Sequence, residues 1–308
     1  MATLLYSHPA CLAHDTGAGH PERPDRLRAV LGALEGEDFA ALERREAPRA
    51  TVAQLARVHD RDHVERLLAQ VPESGRMPLD PDTSLSPGSG EAALRAAGAL
   101  CAAVDAVIAG EGPRAFCAVR PPGHHAEPAR AMGFCLFNNV VVGAAQARDA
   151  GGLDRVAIVD FDVHHGNGSQ TMVARDESLF FASSHQMPLY PGSGAADETG
   201  RGNVVNMPLA PMSDGAAFRA AWRDIGLPRL ADFAPDLIMI SAGFDGHRDD
   251  PLAQLRLVED DYAWLTREVV ALAGRCCAGR VVSTLEGGYD LRALAASTAA
   301  HVRAMMAP

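Results

Sequence analysis

Six short apolar runs, at residues 3–6, 115–119, 156–160, 179–182, 237–240 and 281–285, constrain this chain more than any other feature. Each has the length and the Val, Ile, Leu and Phe content of a strand covered on both faces. Helical patterns lie between them. Residues 24–35 open on Pro24 and Asp25 and put Leu27, Val30, Leu31 and Leu34 on one face. Residues 91–109 are rich in Ala and Leu, and residues 138–149 and 260–273 also fit helices. Strands alternating with helices predict an α/β fold built on a parallel sheet. No repeat interrupts the order, and no Ser/Gly tract, charge block or shift in composition marks a linker. A single domain over residues 1–308 is expected, with 47% hydrophobic residues to fill it.

Polar clusters follow four of the runs. Arg120-Pro121-Pro122-Gly123-His124-His125 follows the second, and Asp160, Asp162, His164 and His165 close the third. Ser241-Ala242-Gly243-Phe244-Asp245-Gly246-His247 follows the fifth, and Glu286-Gly287-Gly288-Tyr289 the sixth. Parallel strands end on one edge of a sheet, which is where open α/β folds bind ligands. The four clusters are therefore expected to meet at one site.

Composition removes several alternatives. Net charge is −11, which argues against a nucleic-acid surface but suits cationic substrates. All 28 basic residues are arginine, excluding a phosphate-loop lysine, a Schiff-base lysine and a pyridoxal-phosphate anchor. The six cysteines, Cys11, Cys101, Cys117, Cys135, Cys276 and Cys277, form no C-x-x-C pair. They read as buried thiols in a reducing, cytoplasmic compartment. The N-terminal segment lacks signal-peptide character, and no apolar run is long enough for a membrane span.

Residues two apart in an extended chain point the same way, so Asp162 and His164 are expected to aim at one point. With Asp245 they offer two oxygens and one nitrogen to a divalent metal. Zinc accepts that set and keeps an open position; iron(II) tolerates it too. Two carboxylates make the ion a mild Lewis acid, so the protein must help. One histidine of the His124-His125 pair can move a proton, Tyr289 can donate to an oxyanion, and Asp160 can orient an imidazole. The combination suits metal-assisted hydrolysis of an amide or ester. Other features carry less. His59 and His63 lack the Glu of a metalloprotease motif and are expected to face solvent. Cys276-Cys277 reads as packing, Gly166-x-Gly168 lacks a third glycine, and no serine lies in a nucleophile elbow.

The segments HPERPDRL (20–27), VRPPGHHAE (119–127), GFCLFNN (133–139), VDFDVHHGNG (159–168), SAGFDGH (241–247) and LEGGYDL (285–291) together resemble the histone deacetylase family. That family includes bacterial deacetylase-like amidohydrolases and acetylpolyamine amidohydrolases. The resemblance implies the arginase–deacetylase fold, a single domain with a central parallel sheet of about eight strands. It implies Asp162, His164 and Asp245 as zinc ligands, His125 as general base, His124 as its electrostatic neighbour and Tyr289 as the residue polarising the acyl carbonyl. Asp160 stands behind the first histidine. Asn167, where many relatives carry aspartate, and the LEGG segment look class II-like.

The same resemblance implies a potassium ion held by Asp160 and Ser183 side chains and by carbonyls of Asp162, His164 and Ser184. Phe134 and Tyr190 match tunnel walls, with Gly133, Gly287 and Gly288 beside them, and Asp82 matches a rim carboxylate. Leu252 stands where polyamine-selective relatives carry a gatekeeper glutamate. Gly243 and Gly166 argue against a second catalytic metal. The implied substrate is an acetylated lysine peptide or protein, or an acetylated small amine, with no nucleic-acid or membrane partner. Self-association as a homo-oligomer is left open.

Overall fold

The computed structural model describes residues 2–307 and turns the six apolar runs into strands of one eight-stranded sheet. The first half of the chain forms β1 (Thr3–Ser7), α1 (Pro24–Ala33), β2 (Glu43–Glu46), α2 (Val52–Leu55), α3 (Arg61–Ala69), β3 (Met77–Pro78), β4 (Ser84–Leu85), α4 (Ser89–Ile108), β5 (Arg114–Cys117) and α5 (Asn139–Asp149). The second half forms β6 (Val156–Asp160), α6 (Asn167–Val173), β7 (Leu179–Gln186), β8 (Val204–Leu209), α7 (Gly215–Ala221), α8 (Leu227–Phe233), β9 (Leu237–Ala242), α9 (Glu259–Cys276), β10 (Val281–Leu285) and α10 (Leu291–Met306).

The sheet runs β2-β1-β5-β10-β9-β6-β7-β8 and every pairing in it is parallel; β3 and β4 form a separate antiparallel pair. Helices cover both faces, and the central strands are mostly apolar. Val156, Ala157, Ile158 and Val159 are all fully buried. Burying each larger aliphatic side chain contributes about 1.5–3 kcal/mol. The register pairs Asp160 with Ser183 on one side and Ser241 on the other, and Leu285 with Ala242. The carboxyl ends of β6, β7, β9 and β10 therefore lie level, and the polar clusters share one edge as expected.

Two side chains near those clusters cap helices. The Asn138 side chain accepts Val141 N–H at the start of α5, and Asp290 accepts Arg292 and Ala293 N–H at the start of α10. Each cap is worth about 1 kcal/mol and fixes where the preceding loop must end.

Several elements depart from the expectations. β2 reads Glu-Arg-Arg-Glu and has no hydrophobic signal; it is an edge strand, where charge discourages pairing with other chains. β8 and α10 also went unpredicted. β7 continues past Ala182 through Ser-Ser-His-Gln because its polar side chains are satisfied inside: Ser183 pairs with His185 and Ser184 with Trp222. β5 stops at Cys117 rather than residue 119, short of Pro121 and Pro122, which lack the N–H a ladder needs. His59, expected in solvent, is 3% exposed: its Nδ1 meets Glu127 O at 3.0 Å and its Nε2 accepts Asn138 N–H at 2.9 Å. It anchors the start of α5. Of the six thiols, Cys276 is exposed and the rest are buried. No described helix is long and apolar enough to cross a membrane.

Candidate active site

Beyond β6 the chain does not stay extended. Asp162 Oδ1 accepts His164 N–H at 2.8 Å, bending the segment into a turn, and Asp162 N–H is held by Asp160 Oδ1 at 3.1 Å. Asp162 and His164 thus converge through a side-chain-stabilised turn, not through the two-residue spacing of a strand. Asp245 arrives from the end of β9, where its Oδ1 accepts Val163 N–H at 2.9 Å. One donor atom from each of Asp162, His164 and Asp245 lies within 4.8 Å of the others, and all three residues are buried.

This set fits a divalent cation. Buried charges need partners, and the side-chain ion partners of Asp162 and Asp245 among the described residues are histidines only. Burial, then the neighbouring Asp162, pushes the Asp245 carboxyl up. His164 answers with a proton: burial opposes it, but hydrogen bonds to Asp162 and Asp245 lift it to about 10. The same three donors offer a metal ion a site with two negative charges.

The histidine pair hangs from β5. Glu286, at the end of neighbouring β10, accepts Gly123 N–H at 2.6 Å and His124 N–H at 3.2 Å, and Ser241 donates to its other oxygen at 3.1 Å. One buried carboxylate thus ties three strand ends together. His124 Nδ1 meets Asp160 Oδ2 at 3.0 Å. Burial works against charge on His124, but Asp162 and Asp160 prevail and raise it to about 10. His125 goes the other way. Burial, with His124 and His164 close by, holds it well below the usual imidazole range. Its Nδ1 lies 2.8 Å from Asn167 Oδ1. The Asn167 amide is oriented by its donation to Glu127 Oε1 at 2.9 Å, so its oxygen accepts and His125 Nδ1 carries the proton. Nε2 is left as a free base.

A narrow cavity of about 80 Å³ reaches this centre. Asp82, Gly133, Phe134, Tyr190 and Leu252 line it together with His124, His125, His164, Gly287 and Tyr289. The Tyr190 ring stands perpendicular to His125 at 5.1 Å, and Phe134 stands edge-on to Tyr289 at 5.9 Å. Burial pushes the Tyr289 hydroxyl well above its usual range, so it remains a proton donor. Gly133 and Gly287 are glycines for steric reasons. A Cβ on Gly133, at φ +57°, would sit 2.4 Å from His125, and one on Gly287 would sit 2.0 Å from Asp245 Oδ2. Gly288 is not among the lining residues; its carbonyl accepts Arg26 Nε–H.

Beneath Tyr289 lies a buried network that sequence reasoning quoted without assigning. Glu22 accepts from Arg120 and from Arg26, and the Arg26 guanidinium stacks 4.9 Å from the Tyr289 ring. Burial alone would raise Glu22, but Arg120 holds it down at about 2. His165, which had no role, bridges Ser193 Oγ at 2.8 Å and Gln170 Oε1 at 2.9 Å, pinning the loop that carries Tyr190 to α6. Glu286 and Asp250 were also missed. Each is a carboxylate near a strand end that accepts backbone N–H groups from distant loops, Gly123 and His124 for Glu286 and Tyr289 for Asp250, partners that sequence spacing does not reveal.

Residues 20–305 match the histone deacetylase domain family. The histone deacetylase-like amidohydrolase of Pseudomonas aeruginosa is 41% identical over 279 residues, covering 89% of this chain and 73% of that protein. A probable deacetylase of Archaeoglobus fulgidus is 38% identical over 298 residues, covering 94% and 82%. The crystal structure of the HDA15 HD domain superposes with a TM-score of 0.93 at 34% identity, covering 99% of this chain and 88% of that one. The likeness fixes the fold as the arginase–deacetylase α/β fold. From motif to sheet order to overall shape, the chain belongs to the histone deacetylase family.

Proposed function

We propose that this chain is a zinc-dependent deacetylase, a single catalytic domain acting on N-acetyl-lysine side chains or similarly acylated amines. The observation that carries the reading is that a neutral, tautomer-fixed His125 and a protonated Tyr289 line the same narrow cavity as His164. Asp162, His164 and Asp245 would hold the zinc. Bound there, it supplies Lewis acidity for a water molecule and for the acyl carbonyl.

Phe134 and Tyr190 take up the methylene stem, removing apolar surface from water. His125 Nε2 removes a proton from the attacking water as the new C–O bond forms. The Tyr289 hydroxyl donates to the carbonyl oxygen as it gains charge. His125 then returns the proton to the leaving nitrogen, the C–N bond breaks, and acetate and a free amine result. His124, kept cationic by Asp162 and Asp160, opposes full protonation of its neighbour and so favours that return. Potassium would draw on the Asp160 and Ser183 side chains and on carbonyls of Asp162, His164 and Ser184. His185 Nε2 faces Gly194 O at 2.9 Å and so carries its ring proton; Ser183 donates to the bare Nδ1, which leaves the hydroxyl lone pairs for a cation. The free thiols suit a reducing compartment, and we assign the chain to the cytoplasm.

An acetylated polyamine is a second reading, favoured by the Asp82 carboxylate on the cavity wall, which could meet a distal ammonium. Side-by-side turnover of an acetyl-lysine peptide and acetylspermidine separates the two. For the mechanism itself the decisive variant is Tyr289→Phe. Zinc content should stay at wild-type level while kcat falls roughly 100-fold or more. Full activity in that variant would refute the mechanism.

A further inference from the structure

We infer that Asp250 is a positioning residue, a latch that holds the Tyr289 turn against the tunnel wall; the inference rests on the deacetylase reading above. Asp250 is buried on the loop that follows β9. Its Oδ2 accepts Tyr289 N–H at 2.7 Å and, more loosely, Asp290 N–H at 3.4 Å. Its Oδ1 accepts Leu252 N–H at 3.0 Å. One side chain therefore grips the backbone of two residues, Leu252 and Tyr289, that line the same cavity from different loops.

The Tyr289 turn needs such a grip. It follows Gly287 and Gly288, the latter at φ +122°, and glycine offers the backbone little stiffness of its own. Asp162 Oδ2 fixes Gly287 N–H at 2.8 Å and Arg26 fixes the Gly288 carbonyl. Arg26 thus holds the oxygen end of the Gly288–Tyr289 peptide, and Asp250 alone accepts its N–H and ties it to the Leu252 loop. The latch is not a helix cap, because Asp290 already caps α10. Nor is it an ion pair: among the described residues, the hydrogen-bond partners of Asp250 are all backbone N–H groups. Burying a carboxylate costs free energy unless donors meet it, so its presence here is explained by what it holds. A catalytic hydroxyl displaced by about 1 Å can lose 100-fold in rate.

The test is a double-mutant cycle on the full-length, zinc-loaded chain. Asp250→Asn keeps size and one acceptor but puts an NH2 group where an oxygen met a backbone N–H. It should lower kcat at least tenfold with KM within twofold of wild type, and with zinc content and thermal midpoint retained. In a Tyr289→Phe background there is no hydroxyl left to misplace, so Asp250→Asn should cost less than twofold more. Equal losses in both backgrounds, a loss that tracks zinc content, or wild-type kcat would overturn the latch. Asp250→Ala should repeat the result more severely; if it does not fold, the Asn variant decides. Full activity of Tyr289→Phe alone is a different failure, since it removes the deacetylase mechanism on which the latch depends.

Discussion

Asn167 Oδ1 accepts from His125 Nδ1 at 2.8 Å, so a neutral amide backs the imidazole that faces the tunnel. A carboxylate there would favour the charged ring, whereas an amide leaves it a weaker base that releases its proton readily. Replacing Asn167 by Asp should therefore move the acidic limb of the kcat/KM pH profile upward by about one unit. The limb is the pH range in which the base becomes protonated and activity is lost. An unmoved limb would show that His125 is not the titrating base.

Leu252 is 36% exposed at the cavity mouth and offers nothing to a distant cation. Leu252→Glu should improve kcat/KM for acetylspermidine over an acetyl-lysine peptide by about fivefold, the worth of an exposed ion pair near 1 kcal/mol. The gain should fade in high salt. Competing the two substrates in one vessel reads the ratio directly, and an unchanged ratio would mean that the mouth does not sort them.

Gly287→Ala would drive a methyl group to within 2.0 Å of Asp245 Oδ2 and 2.6 Å of Asp162 Oδ2. Because the contact is with the proposed ligands themselves, zinc affinity should fall about 10- to 100-fold. Metal titration with a chromogenic chelator checks this. Wild-type affinity would argue that these carboxylates do not hold the ion.

Acid stability should carry a histidine signature. His301 is fully buried between Thr266 Oγ1 at 2.7 Å and Ser283 Oγ at 2.9 Å, and burial lowers it from 6.5 to about 3. The unfolded chain binds this proton at higher pH than the folded one, so unfolding takes up a proton between those values and stability falls as pH drops through them. His14 and His59, each lowered to about 4 chiefly by burial, act in the same sense. Glu286 and Asp250, each raised to about 7 chiefly by burial, act oppositely. The clean measurement is therefore a difference. His301→Gln should flatten the curve of unfolding free energy against pH by about one proton, roughly 1.4 kcal/mol per unit, within that window. Parallel curves for variant and wild type would contradict it.

The sheet was legible because its inner strands are apolar on both faces, a pattern that survives without any tertiary knowledge. β2 was not, since an edge strand of Glu and Arg draws its structure from the neighbour it pairs with. The clustering of Asp162, His164 and Asp245 could be anticipated from strand ends, yet the local reason was misjudged. An Asp162 turn brings the donors together, and hydrophobic periodicity says nothing about turns made by side chains. His59 was misread for a related cause: its two ring nitrogens are satisfied by Glu127 and Asn138, which lie far away in sequence. Buried polar residues look like surface residues until their partners are known.

The strand order has a consequence for how a new chain becomes an enzyme. β2-β1-β5 and β6-β7-β8 are two separate ribbons, and only β9 and β10, made last of all the strands, join them. Those two strands bring Asp245 and Tyr289. Val163 and Asp245, hydrogen-bonded in the finished site, are 82 residues apart, so closing that loop is entropically costly until the sheet rewards it. On the deacetylase reading, a growing or truncated chain that lacks the final strands is thus without one proposed metal ligand, Asp245, and the proposed oxyanion donor, Tyr289. The proposed site is complete only when β9 and β10 lie between the two ribbons.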